Sequence, residues 1–184
     1  MNHPKIRDCV HEILDAVGED PKRDGLFDTP RRVSRMYGEI LNGYSTDVKE
    51  LLRQFEYGKA DGGMVIVRAI PFYSLCEHHM IPFFGEASVG YLPQGGLVIG
   101  LSKFARLVDV FARRLQVQER MTDQIVDSLV DHVTPDCMAV VRARHLCMEI
   151  RGVEKPGTLT VTSAVRGKFK ESFNVRQEFL ELIK

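Results

Sequence analysis

No run in this sequence approaches the roughly 18 consecutive apolar residues that a membrane-spanning helix needs. Neither sign of charge is in excess: 25 Lys and Arg balance 25 Asp and Glu, for a formal net charge of zero. A broad electrostatic footprint for nucleic acid or an anionic membrane is therefore missing, although a local basic pocket is not excluded. Cysteine is sparse. Cys9, Cys76, Cys137 and Cys147 are the four in 184 residues, too few for a disulfide scaffold in a chain this long. The opening stretch MNHPKIRDCVHEILDAVGED is charged throughout and lacks the apolar core of a signal peptide. These readings predict reduced thiols and a cytoplasmic protein. Internal repeats and low-complexity tracts are absent as well.

What is present suits one ordinary domain with a small appended segment, and a hydrophobic content of 44% is enough to build a core. Residues 1–60 read as a helical segment. Ile6, Val10, Ile13, Leu14 and Val17 share one helical face before Gly18, and Thr29 and Pro30 open a second helix whose stripe is Val33, Met36, Tyr37, Ile40 and Leu41. Residues 61–184 change period, starting at Gly62. MVIVRAIPFYSL and FGEASVGYLP read as strands, and GGLVIG follows a Gly-rich turn. LSKFARLVDVFARR and ERMTDQIVDSLVDHV read as consecutive helices, with Phe104, Leu107, Val108 and Phe111, then Met121, Ile125, Leu129 and Val133, facing inward. CMAVVRARHLCMEI and TLTVTSAV return to strand, and RQEFLELI closes as a short helix. This is an α+β order with an antiparallel sheet. Few helices are available to cover so many strands, so the sheet edges are expected to pair with other subunits.

The segment SLCEHHM concentrates a thiol, a carboxylate and two imidazoles. Cys76 and His79 have a Cys-x-x-His spacing that lets two zinc ligands converge in a turn. His145 and Cys147, read as strand residues two apart, would leave one face of the sheet together. Cys76, His79 and Cys147 then supply three ligands, leaving a fourth tetrahedral position for water, as in a catalytic site. A Cys-Cys-His zinc resembles the set that nucleobase deaminases use to activate water. His78 and His145 remain beside it, with an unperturbed pKa of about 6.5 suited to moving protons. The alternative is a closed structural site with His78 or His145 as fourth ligand. Cys9 and Cys137 read as small buried hydrophobes. Strand alternation would put Glu149 on the face of His145 and Cys147, either orienting a ligand or facing solvent.

Lys103 and Arg106 lie in the first turn of the helix that begins at Ser102, where cations oppose the helix dipole. An anion docked on the free N–H groups would remove that conflict; two solvated surface cations are the plainer reading. Gln118 and Glu119 open the next helix. Capping accounts for Glu119, and the functional reading is an acceptor pair for a base edge rich in N–H donors. Arg151, in IRGV, is close enough in sequence to the HLC segment to join as an anion clamp.

These blocks, with GEDPKRDGLFDTPRRVSRMY and FNVRQEFL, resemble GTP cyclohydrolase I in order and spacing over nearly the whole chain. The resemblance implies a tunnelling fold, or T-fold, assembled as a homodecamer of two stacked pentamers whose sheets join across subunits into a barrel. It implies Zn2+ on Cys76, His79 and Cys147, proton shuttling by His78 and His145, and a role for Ser102 in the later rearrangement and in phosphate contact. Gln118 and Glu119 match the pair that recognises guanine. Lys103, Arg106 and Arg151 match the triphosphate clamp, and Arg32 an arginine that reaches in from a neighbouring subunit. The implied reaction converts GTP and water to 7,8-dihydroneopterin triphosphate and formate, the entry to folate and pterin synthesis, with neither nucleic acid nor membrane as partner. A T-fold enzyme acting on a different purine or pterin, and a non-enzymatic protein with a structural zinc, are the competing expectations.

Overall fold

The computed structural model describes residues 1–58 and 63–184. The expected boundary between residues 60 and 61, and the change of period at Gly62, lie outside the described residues. Two compact units are found, Met1–Asn42 and Gly43–Lys184.

The first unit holds helices α1 (His3–Ala16) and α2 (Thr29–Ile40). The Asn2 side chain caps α1 by accepting from the Lys5 N–H at 3.1 Å. Asp28, not Thr29, occupies the N-cap position of α2, and its carboxylate pairs with Arg31 instead of capping. His3 bonds Ser34 Oγ at 2.9 Å and so ties the two helices together. The apolar stripe of α1 is only partly covered: no α1 residue is buried, and Ile13 remains 59% exposed. Two short helices offer too little mutual surface to bury a full stripe. Cys9, expected in a core, is exposed for the same reason.

The second unit runs α3 (Val48–Leu51), β1 (Gln54–Glu56), β2 (Val65–Cys76), β3 (Pro82–Tyr91), β4 (Leu97–Ile99), α4 (Ser102–Ala112), β5 (Leu115–Gln116) and α5 (Gln118–His132). It continues with β6 (Cys137–His145), α6 (Leu146–Glu149), β7 (Thr160–Arg166), α7 (Lys168–Glu171) and α8 (Phe173–Leu182). The main sheet has the order β5-β2-β3-β6-β7 and is antiparallel except where the short β5 runs parallel to β2. The α+β architecture with an antiparallel sheet and two consecutive helices is as expected. Residues 54–56 are not helical, however. They form β1, which pairs with β4 through Gln54 opposite Ile99. A strand this short has no readable period, and its partner lies far along the chain.

Apolar periodicity in α4 and α5 translates directly into the core. Phe104, Leu107, Val108, Phe111, Met121, Ile125 and Leu129 are buried against one face of the sheet, where Phe72, Phe83, Ala87, Val89 and Val141 meet them. The Cys137 thiol sits in this core, and burial pushes its pKa up to about 12. On the opposite face Met138, Val140, Phe169, Phe179 and Ile183 form a smaller cluster. Elsewhere that face carries Tyr73, 75% exposed, stacked on Phe84, and the Arg142–Glu86 pair. Among the described residues no helix is long and apolar enough to cross a membrane.

The register of β3 against β6 sets Phe83 opposite His145 and Gly85 opposite Ala143. At Gly85 a Cβ would run into the Arg142 carbonyl oxygen and lie 2.7 Å from Ala143 Cα. Both are backbone atoms, which cannot rotate away. Gly85→Ala is therefore expected to cost about 2–3 kcal/mol, as overpacking of a tight contact does. Urea denaturation measures it, and a loss below about 1 kcal/mol would mean the strands separate easily here.

Candidate active site and metal centre

Strand β2 ends at Cys76, and the chain reverses at once. The Cys76 carbonyl accepts from Met80 N–H at 2.7 Å, while Cys76 N–H donates to the Ile81 carbonyl at 2.9 Å. Met80 closes this loop at φ 54°, in the left-handed region. His78 and His79 are exposed on the turn. Glu77 anchors it: its N–H donates to the Gln116 carbonyl at 3.0 Å, and its carboxylate is held by the Arg120 guanidinium. Arg120 Nε also donates to Gln116 Oε1 at 3.1 Å, so the turn is tied to the start of α5.

The second arm comes from β6, and here the sequence expectation needs correcting. The strand stops at His145, and Cys147 belongs to the helical turn α6. The shared-face argument for His145 and Cys147 does not apply. Glu149 likewise does not alternate along a strand. It forms a two-pronged pair with Arg144, 2.8 Å to Nε and 2.6 Å to Nη2, with that guanidinium lying over the Phe84 ring.

Even so, the helical turn brings Cys147 to the other two candidates. One donor atom from each of Cys76, His79 and Cys147 lies within 4.8 Å of the others. Cys76 is buried, and its Sγ is 4.0 Å from His79 Nδ1. Burial pushes the Cys147 thiol up in pKa, and the neighbouring Cys76 sulfur pushes it further. Two sulfurs crowded in this way are costly as thiolates unless a cation lies between them, and two sulfurs with one imidazole are a donor set suited to zinc. The residues fit such an ion. Neither His78 nor His145 belongs to the three-residue group.

His79 also has a partner on its far side. Arg151 Nη1 lies 2.7 Å from His79 Nε2. A guanidinium only donates, so this nitrogen accepts. Holding a metal through Nδ1 requires the proton on Nε2, and Arg151 would then have to release it.

A cavity of about 220 Å3 opens beside this group, lined among others by Cys76, His78, Glu119, His145, Cys147 and Thr160. His145 is half-buried and stacks on Phe83, with ring centroids 4.6 Å apart and planes 2° from parallel. Burial lowers its pKa below the ordinary histidine value, and the Glu119 carboxylate partly opposes this. A neutral imidazole is the form that can take up a proton.

Not every candidate converges here. Gln118 lines the cavity, yet it is 1% exposed and its side-chain amide hydrogen-bonds protein groups. Both amide hydrogens are taken in this conformation, while the amide oxygen, bonded to His145, keeps a second lone pair for a further donor. Ser102, Lys103 and Arg106 begin α4 and line no part of this cavity, and Arg32 lies on α2 in the other unit. Phe83 and Arg120 escaped sequence reading, because strand register and tertiary pairing place them and no local spacing marks them.

The family model described as GTP cyclohydrolase I matches residues 6–184. A protein named GTP cyclohydrolase 1 from Halalkalibacterium halodurans is 51% identical over 185 residues, covering 100% of this chain and 98% of its own length. Proteins of the same name from Caldanaerobacter subterraneus subsp. tengcongensis and Bacillus subtilis are 51% and 50% identical, each covering 100% of this chain and 97% of its own length.

Proposed function

The chain belongs to the GTP cyclohydrolase I family, and from that premise we propose that it is a zinc-dependent hydrolase opening the imidazole ring of GTP at C8. Water is consumed and formate released, and rearrangement of the ribose with ring closure gives 7,8-dihydroneopterin triphosphate. One observation carries the reading: two of the three metal donors, Cys76 and Cys147, share a cavity wall with His78, His145 and Glu119.

In this reading Cys76, His79 and Cys147 hold Zn2+. When bound, the ion supplies Lewis acidity that makes water nucleophilic at neutral pH. His145, held neutral by burial, takes up and returns a proton as the ring opens, and the exposed His78 serves solvent-side transfers. Glu119 accepts from the N1–H and exocyclic amine of guanine. Arg151, Lys103 and Arg106 bind the triphosphate, so that remote binding energy fixes the position of C8. Ser102 assists the later rearrangement. Since Ser102, Lys103 and Arg106 line no part of the cavity within one chain, the reading places them, with Arg32, across subunit boundaries in a decamer of two pentamers. The uncovered sheet face bearing Tyr73 fits such an assembly. The cytoplasm, where thiols stay reduced, is the compartment.

Incubating metal-loaded protein with GTP while following formate and pterin fluorescence tests the proposal, and unchanged GTP would end it. Glu119→Ala is expected to lower kcat/KM for GTP by about 10^2-fold, the cost of losing two hydrogen bonds to a charged acceptor. Steady-state kinetics with GTP and with ITP check this. ITP lacks the exocyclic amine and should lose far less.

A further inference from the structure

We infer that Gln118 is a positioning residue that holds the His145 ring in one orientation with its hydrogen on Nε2, turning Nδ1 away from the amide. The inference rests on the proposed function only for what that nitrogen does; the tautomer itself follows from hydrogen-bond chemistry.

Gln118 Nε2 lies 3.1 Å from the Val141 carbonyl, 3.1 Å from the Thr160 carbonyl and 3.1 Å from Thr162 Oγ1. Carbonyl oxygens only accept, so the side-chain nitrogen must face them; the flipped amide would set oxygen against two oxygens in a buried site. The amide oxygen is thereby aimed at His145 Nε2, at 2.7 Å. An amide oxygen only accepts, so Nε2 must carry the hydrogen. A neutral imidazole has one N–H, and Nδ1 is left with its lone pair.

The anchor is rigid. Val141 lies in β6, paired on both sides by β3 and β7, and Thr162 lies in β7. Thr122 Oγ1 is 2.7 Å from both the Gln118 carbonyl and Thr162 Oγ1, fixing the first turn of α5 to the same strand. Phe83 fixes the plane of the imidazole from its face. Hydrogen bond and stack together leave His145 one orientation and one tautomer, imposed by the sheet and by no loop.

The experiment combines spectroscopy with kinetics. Solid-state 15N spectra of metal-loaded protein with 15N-histidine are recorded, and His145 is assigned by difference against His145→Gln. The expected signature is a protonated Nε2 and an unprotonated Nδ1, in a single tautomer. The opposite tautomer, or a mixture, overturns the inference. Gln118→Met keeps the side chain's length without its polar atoms. Its kcat should fall by about 10–10^2-fold, and KM for GTP should stay within about threefold. A raised KM with kcat intact means that Gln118 binds substrate, which also overturns the inference. If the variant does not fold, the wild-type spectrum decides alone. Should wild-type protein leave GTP untouched, the proposed function fails while the tautomer measurement still stands or falls by itself.

Discussion

Cys147→Ala is expected to abolish formate release from GTP, by more than about 10^3-fold in kcat/KM, while the fold persists. The residue is one of three donors within 4.8 Å of each other, so the substitution leaves a sulfur and an imidazole, too few to retain an ion against buffer. The size of the effect follows from water chemistry. Without Lewis acidity the water keeps its ordinary, very high pKa, and hydroxide at neutral pH becomes scarce by many orders of magnitude. Stability of the metal-free chain should change little, because Cys147 lies on the short helix α6 at the rim of the core and is only partly buried. The measurements are metal per chain, formate yield and a urea curve on the same preparation. Full metal content with normal turnover in Cys147→Ala would remove the proposed centre. Loss of the fold, with any remaining folded protein still active, would favour the structural-zinc alternative.

His145→Gln and His78→Gln are expected to lower kcat by roughly 10^2 to 10^4-fold each with metal content unchanged, the range for removing a general acid or base. Glutamine keeps polarity and approximate length but cannot exchange a proton at neutral pH. The larger loss should fall on His145, because it is half-buried, fixed by Phe83 and Gln118, and has its pKa lowered by desolvation. His78 is exposed on the turn, where water can partly substitute for it. Metal analysis beside steady-state kinetics separates the outcomes. If either variant loses its metal, that histidine is a ligand and the three-donor count is wrong.

These two variants probe residues that a reader of the sequence would select, since the Cys-x-x-His turn and the nearby HLC segment announce themselves by spacing. The shared strand face expected for the second segment does not form. His145 and Cys147 do not project from one strand face; the chain turns helical after His145 and delivers the thiol by a different route. Sequence spacing limits which residues can meet without fixing the backbone that brings them together. Glu149 shows the same limit, since a helical turn directs it to Arg144.

By itself the sequence determined what depends on near neighbours and on chemistry type. The apolar stripes of α4 and α5 specify which helix faces are buried, because a helix repeats every few residues. The residue types of Cys76, His79 and Cys147 suit a soft cation, because thiolate and imidazole are donors of that kind. Only the tertiary structure decided the rest: that Gln118 holds a histidine, that Phe83 stacks on it, that β1 exists, and that Cys9 lies bare. Each of these depends on a partner many residues away, and the register and close packing that choose such partners arise only once the chain has folded.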